Sequence, residues 1–134
     1  MSALNSVMLT IKPVLMLISI MPTLNTPSLL IKSVELEEGQ SKGFTIDGTN
    51  LFIVRHQGKV VAYVNSCPHR KLPLEWIPDQ FLDYDKLFIY CATHGALFTI
   101  ENGLCISGPC HQQSLISLQV EERDENIFCT IPQT

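Results

Sequence analysis

VVAYVNSCPHR, residues 60–70, carries a run of β-branched and aromatic residues directly into a cysteine and a histidine separated by one proline. Val, Tyr and their like favour the pleated, half-buried environment of a strand, so VVAYVN (60–65) reads as a strand that delivers the chain to Cys67. The same event recurs downstream. LFIY (87–90) reads as a strand, and CATHGALF (91–98) opens at once with Cys91, followed by His94 three positions later. Four of the chain's nine cysteines and histidines therefore sit in two strand-end turns. Two such loops can face each other at one edge of a domain.

Outward from these fragments the pattern is short apolar runs punctuated by turn residues. Gln57–Gly58 is a hairpin turn between LFIVRH (51–56) and VVAYVN, and Asp47–Gly48 joins GFTI (43–46) to LFIVRH. LLIKSVEL (29–36) contains the first strand, ended by Glu38–Gly39. ALFTI (96–100) and LCI (104–106) form a second hairpin around Glu101–Asn102–Gly103, and SGPC (107–110) is a turn. SLISLQVEE (114–122) alternates apolar and polar residues, and NIFCTI (126–131) follows the charged turn Arg123–Glu125. The segment 70–86 between the two fragments is polar and proline-containing, without regular periodicity. The expectation is an all-β domain of about nine short strands, arranged as a small antiparallel sandwich or barrel.

A chain of 134 residues is one domain's worth of sequence, and 46% hydrophobic residues suffice for a core without disulfides. A net charge of −4 excludes a basic nucleic-acid-binding surface. The acidic clusters ELEE (35–38) and EERDE (121–125) read as solvated turns and strand ends. Five cysteines are an odd set for a secreted disulfide framework, so a reducing compartment, the cytoplasm, is expected. Cys105, Cys110 and Cys129 read as small core or loop residues. The apolar stretch VMLTIKPVLMLISIM (7–21) is interrupted by Lys12–Pro13 and is shorter than the roughly twenty residues of a membrane span. With no charged side chain before Val7 it also lacks the basic region of a secretory signal. Residues 1–27 are expected to be an appendage to a domain spanning 28–134, with a membrane anchor, or a true start at Met21, left open as alternatives.

Two thiols and two imidazoles suit several metals. Tetrahedral zinc accepts Cys₂His₂, but its usual spacings pair cysteine with cysteine and histidine with histidine. Here each loop contributes one of each, with a single residue between Cys67 and His69. A cluster of two metal ions suits that spacing better, each loop sending its cysteine to one ion and its histidine to the other. A zinc-bound interaction module stays open as the alternative.

The arrangement Cys67-x-His69, twenty-one residues, Cys91-x-x-His94-Gly95 resembles the Rieske family of 2Fe-2S proteins. The fuller pattern CPHRKLPLEW…CATHGALFTIENGLCISGPC is most similar to the small stand-alone Rieske ferredoxins of bacteria. The resemblance implies one Rieske-type 2Fe-2S cluster, with Cys67 and Cys91 on the inner iron and His69 and His94 on the outer one. It implies a Rieske-like fold with both ligand loops at one tip, and GPC (108–110) as a third loop covering the cluster. It implies a one-electron carrier with no catalytic residues of its own, passing electrons from a flavin-dependent reductase to an oxygenase or similar terminal enzyme. A small redox subunit of a larger reductase, of the nitrite reductase type, is the alternative within the family.

Departures from the family pattern narrow the expectation. The disulfide that links the ligand loops in Rieske proteins of cytochrome complexes has no counterpart here: the positions are near Lys71 and at Thr93. The serine and tyrosine whose hydroxyls donate to high-potential clusters are replaced by Ala96 and Phe98. Fewer donors imply a low potential, about −150 mV, at the bottom of the Rieske range. His56 and His111 are expected at the surface, and Trp76 and Phe81 in packing roles.

Overall fold

The computed structural model describes residues 26–132. The segment 1–27 expected to be an appendage lies, except for its last two residues, outside the described residues. Among the described residues no helix is long and apolar enough to cross a membrane.

Nine strands are present among the described residues: β1 Pro27–Lys32, β2 Ser41–Ile46, β3 Thr49–His56, β4 Lys59–Val64, β5 Phe88–Cys91, β6 Ala96–Thr99, β7 Cys105–Ser107, β8 Ser117–Arg123 and β9 Asn126–Thr130. All pairings are antiparallel. Six strands form a barrel-like sheet in the order β1-β9-β8-β4-β3-β2, and β5-β6-β7 form a second, smaller sheet.

Strand β3 shows why there are two layers. Four consecutive residues, Leu51 to Val54, are buried, which in a strand means that both faces are covered. Leu51 and Ile53 join Leu36, Ala62, Leu118, Ile127 and Cys129 in one core. Phe52 and Val54 turn the other way, into a core shared with Tyr63, Phe81, Ile89, Phe98 and Leu115. The hairpin β3–β4 is thus the wall between the two cores. Gln57 and Gly58 both have positive φ, 55° and 79°, the requirement of a two-residue turn that matches strand twist.

Two strands differ from the sequence expectation. The first ends at Lys32 instead of running to Leu36; a 3-10 turn at Ser33–Glu35 swings Leu36 into the barrel core. Arg55 holds that turn, donating to Leu36 O at 2.6 Å and Ser33 O at 3.3 Å while pairing with Glu122 at 2.6 Å. The strand expected from Ser114 begins at Ser117, because Leu115 N–H is taken by Gly103 O and its side chain by the core that holds Phe52 and Tyr63.

The segment 70–86 has little regular structure, as its sequence suggests, yet it is anchored. Leu74 and Phe81 are fully buried, Phe81 stacking on Phe52 at 4.3 Å. Asn65 Oδ1 accepts Leu74 N–H, and Asp79 Oδ1 accepts Gly43 N–H. These contacts clamp the small sheet onto the barrel wall and bring the end of β5 beside the exit of β4.

Candidate metal centre

Each ligand loop is built on one closed turn. Lys71 N–H donates to Cys67 O at 2.7 Å, and Gly95 N–H donates to Cys91 O at 2.8 Å. In both, the closing residue lies in the left-handed region, Lys71 at φ 61° and Gly95 at φ 69°. That conformation costs an L-residue about 1–2 kcal/mol, so glycine suits the second loop. The first loop adopts the same conformation with a lysine, a similarity that its sequence conceals. The second loop is the tip of the β5–β6 hairpin, where Cys91 pairs with Ala96. The first leaves β4 through Asn65 and Ser66.

The loops meet. A sulfur of Cys67, a sulfur of Cys91 and a ring nitrogen of His94 all lie within 4.8 Å of one another. His69 is outside that tight set, but its ring is 5.0 Å from the His94 ring, edge-on at 87°. Both cysteines are fully buried, His94 is half-buried and His69 is exposed. The site therefore grades from a dry thiol floor to a wet imidazole edge.

Two features of this pocket ask for a ligand. His94 Nδ1 is buried without a hydrogen-bond partner, a condition that costs about 1–3 kcal/mol. Burial pushes the Cys91 thiol up, while the backbone N–H groups of His94 and Thr93 oppose the rise. Backbone N–H groups that favour a buried thiolate suit a sulfur bound to a cation, because the metal supplies the missing positive charge. The donors present fit a 2Fe-2S group with two sulfur and two nitrogen ligands.

A third loop closes over the second. A Cβ built on Gly108 would stand 2.9 Å from both Cα and Cβ of Ala96, so only glycine lets this loop lie flat on the hairpin. Ala96 and Phe98 are both fully buried, and neither has a side-chain donor. Pro109 is exposed. Cys110 is fully buried, and its thiol is pushed up to about 12, mainly by burial and further by the neighbouring Cys105 thiol. Cys67, Cys91, Cys105 and Cys110 share one core. That adjacency was not readable from the sequence, because Cys105 and Cys110 match no ligand spacing. All five cysteines are free.

Of the other histidines, His56 faces Glu101 at 3.3 Å, and His111, after the third loop's Cys110, is exposed. Phe81 packs as expected. Trp76 does not: it is 72% exposed, its Nε1–H donating to Thr93 Oγ1 at 3.3 Å.

The family model of the Rieske 2Fe-2S domain matches residues 26–129. The chain belongs to the Rieske 2Fe-2S family. Membership brings the family's cofactor, a Rieske-type 2Fe-2S cluster. No curated protein matches the chain. Among solved structures, the ferredoxin of carbazole 1,9a-dioxygenase from Nocardioides aromaticivorans IC177 is 24% identical with a TM-score of 0.66, over 81% of this chain and 99% of that one. A complex of the carbazole-bound oxygenase and the ferredoxin of carbazole 1,9a-dioxygenase gives 23% identity and a TM-score of 0.71, over 82% of this chain. The terminal oxygenase of carbazole 1,9a-dioxygenase from Novosphingobium sp. KA1 gives 22% and 0.68, over 84% of this chain. This Rieske chain spans only 29% and 31% of the length of those two. At these identities the likeness is one of fold.

Proposed function

We propose that this Rieske protein is a one-electron carrier of the ferredoxin type, in which Cys67 and Cys91 hold one iron and His69 and His94 the other. The observation that carries this is the graded site: buried sulfurs and a partnerless buried nitrogen on one side, an exposed imidazole on the other. When bound, the cluster supplies one-electron exchange. The chain's residues supply the rest. Cys67 and Cys91 keep water from the inner side, and the Thr93 and His94 amides favour the charged sulfur. Gly108 seats the third loop on the second, and the exposed edge of His69 is the exit toward a partner.

The donor in this reading is a flavin-dependent reductase and the acceptor an oxygenase or similar terminal enzyme. Support comes from the match to 99% of a stand-alone ferredoxin, against about a third of an oxygenase. Five free cysteines support a reducing compartment, the cytoplasm. The working domain in the same reading needs nothing before β1, whose first residue, Pro27, pairs with Thr130, so a chain begun at Met21 should fold and keep its cluster.

The test is direct. Anaerobically purified protein should be coloured and give a rhombic EPR signal after reduction. Colourless protein containing stoichiometric zinc would overturn the reading.

A further inference from the structure

Beside the second ligand loop lies a groove of about 510 Å³ lined by Trp76, Ile77, Asp83, Tyr84, Tyr90 and Ala92. Ala92 stands between the proposed ligands Cys91 and His94 in the chain, so the groove borders the second ligand loop. Its aromatic walls are open to solvent: Trp76 is 72% exposed and Tyr84 97%. Burying neither ring in a core while placing both beside a redox site is the pattern of an unpartnered contact surface.

The groove is preformed. Trp76 is tied to Thr93. Ala92 N–H donates to Leu74 O at 2.8 Å, joining the loop beneath Trp76 to the hairpin. The turn bearing Tyr84 is pinned by Asp83, whose Oδ1 accepts the N–H groups of Leu87 and Phe88 at 2.9 and 3.0 Å. Trp76, held at its ring nitrogen, loses little entropy when a partner docks.

The one charged side chain that lines it is acidic, Asp83. Residues 72–85 contain Glu75, Asp79, Asp83 and Asp85 and no lysine or arginine. Of the flanking cations, Lys86 lies on Gly39, donating to its carbonyl at 3.3 Å, and Lys42 pairs with Asp79, while Arg70 and Lys71 belong to the first ligand loop and are exposed. No basic side chain lines the groove. A second copy would bring acid against acid, and an anionic membrane surface would be repelled.

We propose that this groove seats a redox partner whose contact face presents an apolar group ringed by lysines or arginines. The proposal rests on the electron-carrier reading. Trp76 and Tyr84 are the anchors, and the acidic rim steers the encounter.

A c-type cytochrome with a lysine-ringed haem edge is the probe. One electron leaves each dithionite-reduced holoprotein and converts one ferric haem to ferrous, followed by stopped flow. The expected result is a second-order rate that falls steeply with salt, and slows about tenfold in Trp76→Ala and in Tyr84→Ala. Trp76→Phe should lie between, and Asp85→Lys should slow transfer at low salt only. Unchanged EPR spectra in each variant show that the cluster site is intact; Tyr84→Ala touches none of it. Wild-type rates in both alanine variants overturn the proposal. So does an absence of salt-dependent transfer in a protein that gives a reversible one-electron wave at an electrode. Self-association in sedimentation that Tyr84→Ala abolishes overturns it too, giving the groove to a second copy. A missing one-electron wave would instead sink the carrier reading beneath it.

Discussion

The two ligand loops close the same way and end differently. Cys67 to Lys71 and Cys91 to Gly95 are both five-residue turns shut by an N–H to the cysteine carbonyl, with a left-handed residue at the close. Within that common frame the histidine sits at the third position of the first loop and the fourth of the second. One residue of offset separates an exposed imidazole from a half-buried one with an orphaned nitrogen. Equal turns hold the cysteines at equal depth, while unequal histidine positions stagger the outer edge. The first loop is free to be wet because it leads into the irregular segment 70–86. The second is open at Thr93 and Gly95 but more covered at its histidine, and the third loop lies on the hairpin that carries it.

Changing a ligand breaks this pair most completely. Cys91→Ser and His69→Cys should each abolish the Rieske absorption and EPR signature, and a variant that kept either would refute the ligand assignment.

The missing donors around the second loop come next. The midpoint potential should fall near −150 mV, at the low end of a span of about −150 to +300 mV, and a value above roughly +100 mV would overturn that. Phe98→Tyr should raise it, since a hydroxyl would then stand where the fully buried Phe98 ring offers none. Protein-film voltammetry reads both.

Exchanging the closing residues tests the shared frame. Lys71→Gly should leave the melting temperature unchanged or raise it, by relief of up to about 1–2 kcal/mol of left-handed strain. Gly95→Ala should lower it by a similar amount, since a Cβ there meets no atom within 4 Å and only the backbone is strained. Thermal melts followed by circular dichroism compare the two.

The smallest effects lie far from the loops. Glu122 is held below the usual carboxylate range by its hydrogen bond to Arg55. Glu38 is lowered by the N–H groups of Gly58 and then Gln57. A carboxylate with a depressed folded pKa stabilises the protein above its unfolded value and loses that contribution as pH falls through the folded one. Denaturation midpoints should therefore decline below about pH 4.5, and less steeply in Glu122→Gln.

Much of this was legible in single residues. Strand boundaries followed β-branched runs and Gly or Asp turns, and the four metal ligands of the proposal stood out because their spacing is short and paired. Leu36 and Trp76 were not legible. Both sit in runs whose local chemistry permits another answer: Leu36 continues an apolar strand pattern, and Trp76 in a proline-rich segment looks like core.

Sequence alone determined the all-β class, the two strand-end turns and the donor types, because these depend on backbone preference and side-chain chemistry within a few residues. Tertiary structure alone decided that β3 is covered on both faces, that Lys71 mimics Gly95, that Cys105 and Cys110 share a core with Cys67 and Cys91, and that Trp76 opens to solvent. Each of these depends on which distant segments come into contact, and no local preference encodes that.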